Sequence, residues 1–254
     1  MPNGKNSLPS EQTHWYKTDG SPFYTMAGTN GKERSVTLRD AKKLGGIVPS
    51  VTTILKECYK PGLEMYKIDQ AIMSALTLPR MGGELEADWV KRVKMDAKEH
   101  SRIRAEEGTA IHGYVQRGFE LDELTDKEFT YYKAAVDETA RTIGKQNWSC
   151  EKSFATGDYG GKVDLHTELF VLDIKTKNGS LDDVKLYDEH FMQLAAYRTG
   201  LDVMEADCGI LFISTEGEAK LVMATREEIY RGRDMFIALL GYWYHKTGLG
   251  RGYE

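Results

Sequence analysis

The stretch "GGKVDLHTELFVLDIKTKN", residues 160–178, places Asp164, Asp173 and Lys175 among residues that otherwise read as two apolar strands and a turn. Side chains alternate faces along a strand. In "FVLDIKT", Phe170, Leu172 and Ile174 therefore share one side, and Val171, Asp173 and Lys175 share the other. If the turn is centred between Glu168 and Leu169, residues equidistant from that point stand opposite each other, and Asp164 faces Asp173. Cβ atoms of such a pair lie roughly 4.5–5.5 Å apart. Two carboxylates at that distance repel, so a cation between them is expected. Lys175 alone offsets part of the repulsion. A hard divalent cation fits better, because Mg²⁺ takes one or two carboxylates and keeps several waters. An exposed strand face with a local Asp–Lys ion pair is the plainer alternative.

Other polar side chains have suggestive spacing. Glu151, in "CEKSFA", stands one strand earlier as either a solvent-facing acid or a ligand. In "GTAIHGYV", His112 comes four residues after Gly108 on the apolar-to-polar border of a helix. It reads either as a satisfied histidine or as a ligand. "HFMQLAAYRTG" sets Gln193 and Tyr197 at i and i+4 on one helical face, which an ordinary helix surface also does.

Taken in order, Gly-x-x-x-His, Glu, Gly-x-x-Asp, Asp-x-Lys-Thr and Gln-x-x-x-Tyr resemble the PD-(D/E)xK nuclease superfamily in its RecB-type exonuclease branch. That branch includes CRISPR-associated spacer-acquisition nucleases, phage recombination exonucleases and a mitochondrial single-strand exonuclease. The resemblance covers about residues 105–200. Val163 replaces the usual proline, and "PSVTTIL…KPGLEMYK" resembles the N-terminal part of phage-borne members more loosely. Some members carry an iron–sulfur cluster in a four-cysteine clasp, which a chain with Cys58, Cys150 and Cys208 as its cysteines cannot build.

The resemblance implies an α/β fold: a restriction-endonuclease-like core with a mixed central β-sheet flanked by helices, plus an N-terminal helical and hairpin elaboration. It implies a Mg²⁺- or Mn²⁺-dependent deoxyribonuclease that hydrolyses phosphodiester bonds from a free DNA end, in phage or bacterial recombination, repair or degradation. Asp164 and Asp173 would ligate the metal with the Ile174 carbonyl, and Glu151 would bind it directly or through water. His112 would be a further ligand, favouring Mn²⁺. Lys175 would orient or help deprotonate the attacking water and stabilise the phosphorane charge. Gln193 and Tyr197 would contact nucleic acid or position the site. Linear single- or double-stranded DNA is the expected partner; a recombination or single-strand-binding protein and an oligomeric assembly are compatible with it. A structure-specific endonuclease on the same fold and a non-catalytic nucleic-acid-binding protein are the rival functions. A small-molecule enzyme in which the motif is coincidental is a third, although no phosphate-cradling GxGxxG or GxxxxGK[ST] is present.

The elements that must position these residues are legible in the pattern. Residues 1–13 are polar and read as loose. "HWYKTDGSPFYTMAGTNGKERSVTL" alternates aromatic and polar residues around turn signals, as one or two hairpins would. Ser50 is the expected cap of a helix, residues 78–88 a loop, and Leu85 to about Glu107 a helix. On that helix Lys91, Lys94, Lys98 and Arg102 fall in one stripe about 80° wide, opposite Trp89, Val93 and Ala97. The stripe is either a solvated face or a phosphate-binding one. Thr125 and Glu128 form a capping box before a helix whose Phe129, Tyr132, Val136 and Ile143 are expected to face the core. After the hairpin come a helix of about 187–199 ending at Gly200, a strand pair in "CGILFIST" and "AKLVMA", and a second capping box, Thr225 to Glu228. That box opens a helix to about His245. The expected division is an N-terminal elaboration over 1–104 and a nuclease core over 105–254, together one compact unit.

Composition constrains the rest. A net charge of −5 means that any nucleic-acid site is a local basic patch and not a general field. Neither a secretory h-region nor a run of 18 or more apolar residues is evident, so no membrane partner is expected. Three widely spaced cysteines cannot all pair. Reduced thiols in the cytoplasm of a bacterial or phage-infected cell are the expectation.

Overall fold

The computed structural model describes residues 14–29, 31–120 and 123–250. The segment 1–13, expected to be loose, lies outside them. The chain divides into two units: one takes the described residues up to Cys58 together with those from Ile111 onward, and the other is Tyr59–Ala110. This division differs from the expected boundary at 104/105. The reason is a shared core: Trp15, Val51 and Ile54 are buried in the same cluster as Val163, Val171 and Ile210 of the sheet.

In the first unit, β1 (Trp15–Lys17) pairs antiparallel with β4 (Ile47–Pro49), and β2 (Thr25–Ala27) pairs with β3 (Glu33–Ser35). The aromatic–polar alternation thus produces one hairpin and one long-range pair. Between them lies α1 (Leu38–Leu44), and after β4 comes α2 (Val51–Ile54), capped as expected by Ser50, whose hydroxyl accepts the Thr53 amide.

The main sheet has the order β5 (Ser149–Ala155), β6 (Gly160–His166), β7 (Phe170–Lys177), β8 (Asp207–Ser214), β9 (Ala219–Met223). All neighbours are antiparallel except β7 and β8. A parallel pair needs a crossover, supplied by α6 (Asp188–Gly200). In the β6–β7 hairpin Leu165 pairs with Leu172 and His166 with Val171, the register expected from the turn. The Thr167 hydroxyl closes that turn by accepting the amides of Leu169 at 3.1 Å and Phe170 at 3.0 Å.

The alternation of β7 sorts the two cores. Leu172 and Ile174 join Leu165, Leu211 and Ile213 under α5 (Asp126–Ile143) and the end of α4 (Glu86–Phe119). Val171 faces the other cluster with Ile210 and Phe212, under α6 and α7 (Arg226–Thr247). Fully burying a Leu or Ile side chain is worth roughly 1.5–3 kcal/mol, so this alternation fixes the register. Both expected capping boxes form, at Thr125 with Glu128 and at Thr225 with Glu228.

The expected core stripe of α5 needs correction. Its buried residues are Tyr131, Ala135, Glu138 and Thr139, and Phe129 is 51% exposed. Polar contacts to the sheet set the roll of the helix. The Tyr131 hydroxyl donates to the Thr215 carbonyl at 2.8 Å, and the buried Glu138 carboxylate accepts the Leu221 amide of β9 at 2.8 Å.

The second unit contains α3 (Pro61–Thr77) and the N-terminal part of α4. Glu84 ties their connecting loop by accepting from Arg92 and from the Met81 amide. Val93 and Ala97 are buried, Trp89 donates to the Leu78 carbonyl at 2.6 Å, and Lys91, Lys94 and Lys98 are exposed. The helix continues unbroken through Gly108 to Phe119 and does not stop near Glu107. One glycine costs a helix about 1 kcal/mol against alanine, too little to break one packed at Ile111 and Val115. Among the described residues, no helix is long and apolar enough to cross a membrane.

Candidate metal centre

Asp164 lies where two ladders are interrupted. On one side β5 pairs Cys150 with Leu165 and Lys152 with Val163, so Glu151 stands opposite Asp164 without a ladder pair joining them. On the other, the β6–β7 ladder stops at Leu165 and Leu172, one step before Asp164 and Asp173. The Ile174 amide there donates to Asp164 Oδ2 at 2.7 Å. Glu151 has a φ of 53°, a left-handed backbone that costs a non-glycine residue about 1–3 kcal/mol. The three neighbouring strands thus bring Glu151, Asp164 and Asp173 to one level of the sheet.

From α4, His112 reaches the same place. Its Nε2 is 3.5 Å from Asp164 Oδ1 and 3.9 Å from Glu151 Oε1. His112, Glu151 and Asp164 each offer one ligand atom, all within 4.8 Å of one another. An ion holding ligands at about 2.0–2.2 Å spaces them by roughly 3 to 4 Å, so small side-chain adjustments suffice. Asp173 is not in this triad. Its Oδ1 accepts from Gln193 Nε2 at 2.7 Å, and its Oδ2 lies 2.6 Å from Lys175 Nζ.

A bonding deficit marks the centre. Among the described residues, His112 Nε2 is buried without a hydrogen-bond partner. The buried oxygens Glu151 Oε2 and Asp173 Oδ2 are held in ion pairs, by Lys162 and Lys175 respectively. The carboxylate oxygens beside Nε2 of His112, Asp164 Oδ1 at 3.5 Å and Glu151 Oε1 at 3.9 Å, are beyond good hydrogen-bonding length. Buried polar groups are nearly always satisfied, and one imidazole with two carboxylates suits a divalent metal.

The protonation states agree with this geometry. Burial pushes the Asp173 carboxyl up to about 6, and Asp164 adds to the rise while Lys175 opposes it. Burial acts on Asp164 the same way, but His112, Lys175 and the Ile174 amide outweigh it and hold that carboxyl below its usual range. For His112 and Lys175, burial favours the neutral form, yet the neighbouring carboxylates raise both above their ordinary values.

Asp164, Asp173, Ile174, Lys175, Gln193 and Tyr197 line one cleft of about 390 Å³, together with His112. Gln193 and Tyr197 are buried, and the Gln193 amide donates to both Asp173 and the Tyr197 hydroxyl. Two glycines bring the walls together. A Cβ on Gly161 would meet the Phe154 ring at 2.8 Å and Tyr197 at 3.0 Å, and one on Gly160 would meet Tyr16 at 2.6 Å. Lys91, Lys94, Lys98 and Arg102 belong to the second unit and are not among the cleft-lining residues. Arg102 is held by Glu99 and Glu106.

Sequence reasoning missed the contribution of the N-terminal strands. His14, Tyr16, Tyr24, Ser50 and Lys56 line the same cleft, as does Lys162. The one signal was the aromatic–polar alternation of residues 14–38, which does not say where such a segment packs.

No protein-family model and no curated protein matches the sequence. Among solved structures, the chain is similar to one described as "Putative exonuclease" from Eubacterium rectale, at 13% identity and a TM-score of 0.40, over 57% of this chain and 69% of that one.

Proposed function

We propose that this chain is a metal-dependent nuclease of the PD-(D/E)xK type, on a restriction-endonuclease-like core, that degrades DNA from a free end. The observation that carries the reading is the convergence of His112 Nε2, Glu151 and Asp164, with Nε2 buried and unsatisfied, beside a Lys175–Asp173 pair in the same cleft. The order of these residues along the chain is the order that prompted the resemblance to RecB-type exonucleases.

In this reading His112, Glu151 and Asp164 would hold Mg²⁺ or Mn²⁺, with Asp173 and the Ile174 carbonyl as further candidate ligands. The bound metal supplies Lewis-acid stabilisation of a phosphoryl oxygen and lowers the pKa of a water ligand. The residues of the chain do the rest. Asp164 stays ionised, so it is ready to bind a cation without losing a proton first. Lys175 keeps its charge and sets an ammonium where phosphorane charge develops, a contribution typically worth 10²- to 10³-fold in rate. Gln193 fixes the rotamer of Asp173 and is itself steadied by Tyr197, so both serve as positioning residues behind the ligands. In this reading cleavage does not depend on base sequence.

The test is incubation with end-labelled linear DNA in Mg²⁺ or Mn²⁺ against an EDTA control, with covalently closed circles in parallel. Linear DNA should fall to short products only with metal, and circles should resist. Cutting of circles would replace the exonuclease by an endonuclease with the same metal chemistry. Wild-type rates in EDTA would overturn the nuclease reading altogether.

A further inference from the structure

The N-terminal strands bring an aromatic group to the cleft that the metal chemistry does not use. The rings of His14 and Tyr24 are stacked, with centroids 4.6 Å apart and planes at 27°. Tyr16 meets Tyr24 edge-on, at 5.6 Å and 87°, and the two hydroxyls hydrogen-bond at 2.6 Å. Tyr16 is buried and packs against Gly160, at the start of the strand that carries Asp164. His14 is pinned by its backbone: its amide donates to Thr53 Oγ1 at 3.1 Å, and its carbonyl accepts the Ser50 amide at 2.9 Å. His14 and Tyr24 are nonetheless part-exposed, and both line the cleft that holds Asp164 and Lys175.

A part-exposed aromatic stack that lines a cleft does more than fill a core. It is a good platform for a planar ligand, because little rotamer freedom is lost when something lies on it. The cleft holds about 390 Å³, near the lower end of the roughly 300–1,000 Å³ of small-molecule sites and room for about one nucleotide.

We propose that the His14–Tyr24 stack is a shelf for the base of a strand's terminal nucleotide, so that the site accepts an end only after that nucleotide has left its duplex. This rests on the nuclease reading and specifies its substrate as single-stranded or frayed DNA ends. Stacking tolerates any base, which agrees with cleavage that does not depend on sequence.

The probe is an oligodeoxynucleotide with 2-aminopurine at its terminus, whose fluorescence falls when the base stacks. It is titrated into Asp164→Asn protein, which should bind without turnover. The signal should be quenched. With Tyr24→Leu added, quenching should be lost and Kd should rise about 5- to 150-fold, equivalent to roughly 1–3 kcal/mol of stacking. Tyr24→Phe, which keeps the ring and loses the Tyr16 bond, should behave like the parent. In the wild-type background with Mn²⁺, Tyr24→Leu should shrink the preference for frayed over blunt ends. If Tyr24→Leu does not fold, His14→Ala is measured in its place, with the same result expected. Unchanged Kd and end preference in a folded variant, with wild-type degradation intact, would overturn the shelf and leave the nuclease standing. Absence of both degradation and oligonucleotide binding in wild type would overturn both.

Discussion

Asp164 accepts the backbone amide of Ile174 through its side chain, at 2.7 Å, one step past the last ladder pair between their strands. The carboxylate therefore has two jobs. One oxygen completes the sheet, and the other faces His112.

These jobs separate by substitution. Asp164→Asn keeps an oxygen for the Ile174 amide and loses the charge, so it should fold normally, lose at least about 10² in rate, and lose the rise in Tm expected of wild type on adding Mn²⁺, which would bind the folded state. Asp164→Ala should lose the same activity and also about 1–3 kcal/mol of stability, because the amide is left unsatisfied. Equal melting of the two variants in EDTA would show that the hydrogen bond contributes nothing.

Asp173 gives a pH signature in metal-free protein. Its folded pKa is pushed up to about 6, against about 3.9 in an unfolded chain. The folded state binds the proton more tightly, so the stabilisation is complete below about pH 4 and is lost as pH rises through about 6. Asp173→Asn, fixed in the neutral form, should match wild type near pH 4 and melt higher than wild type at pH 8 in EDTA. A difference that stays constant with pH, or that grows toward acid, would contradict the raised pKa.

Glu151 tests backbone strain. At an ordinary strand position glycine is less stable than alanine. At a φ of 53° the order should reverse, with Glu151→Gly more stable than Glu151→Ala by about 1 kcal/mol. Both remove the same carboxylate, and both should abolish Mn²⁺-dependent activity. Alanine more stable than glycine in chemical denaturation would mean that no strain is stored there.

The exposed lysines of α4 are a separate question, in the second unit. Neutralising Lys91, Lys94 and Lys98 together should flatten the salt dependence of DNA binding, by roughly 0.7–0.9 in the slope of log K against log salt for each phosphate that these lysines neutralise. Arg102 is left out because Glu99 and Glu106 already hold it. An unchanged slope identifies the stripe as a solvated face.

The parts of this fold that were readable from sequence are those decided locally. A turn centred between Glu168 and Leu169 together with the alternation of β7 gives the Leu165–Leu172 register, and the Thr125 and Thr225 capping boxes mark two helix starts to the residue. His112, Asp164, Asp173 and Lys175 stand out in the sequence by residue type and spacing, and all four line one cleft. What was not readable depends on distant partners. Nothing near Trp15 announces pairing with Pro49, or that Tyr16 would reach Gly160. The positive φ of Glu151 has no signature in a residue type that rarely adopts it. The roll of α5 was misjudged because hydrophobic pattern favours Phe129, whereas hydrogen bonds from Tyr131 and to Glu138 decide it.

Glu138 has a consequence beyond the packing of α5. β9 is the last strand of its sheet, and a terminal strand offers its outward amides to any other chain that can add to it. The Glu138 carboxylate occupies one of them, at Leu221, near the middle of a five-residue strand. A short margin with its central donor already engaged is a poor template for intermolecular pairing. The carboxylate that turns the helix thus also guards the protein against aggregation through that margin. Glu138→Ala would expose the amide, and light scattering at high concentration would register the lost protection.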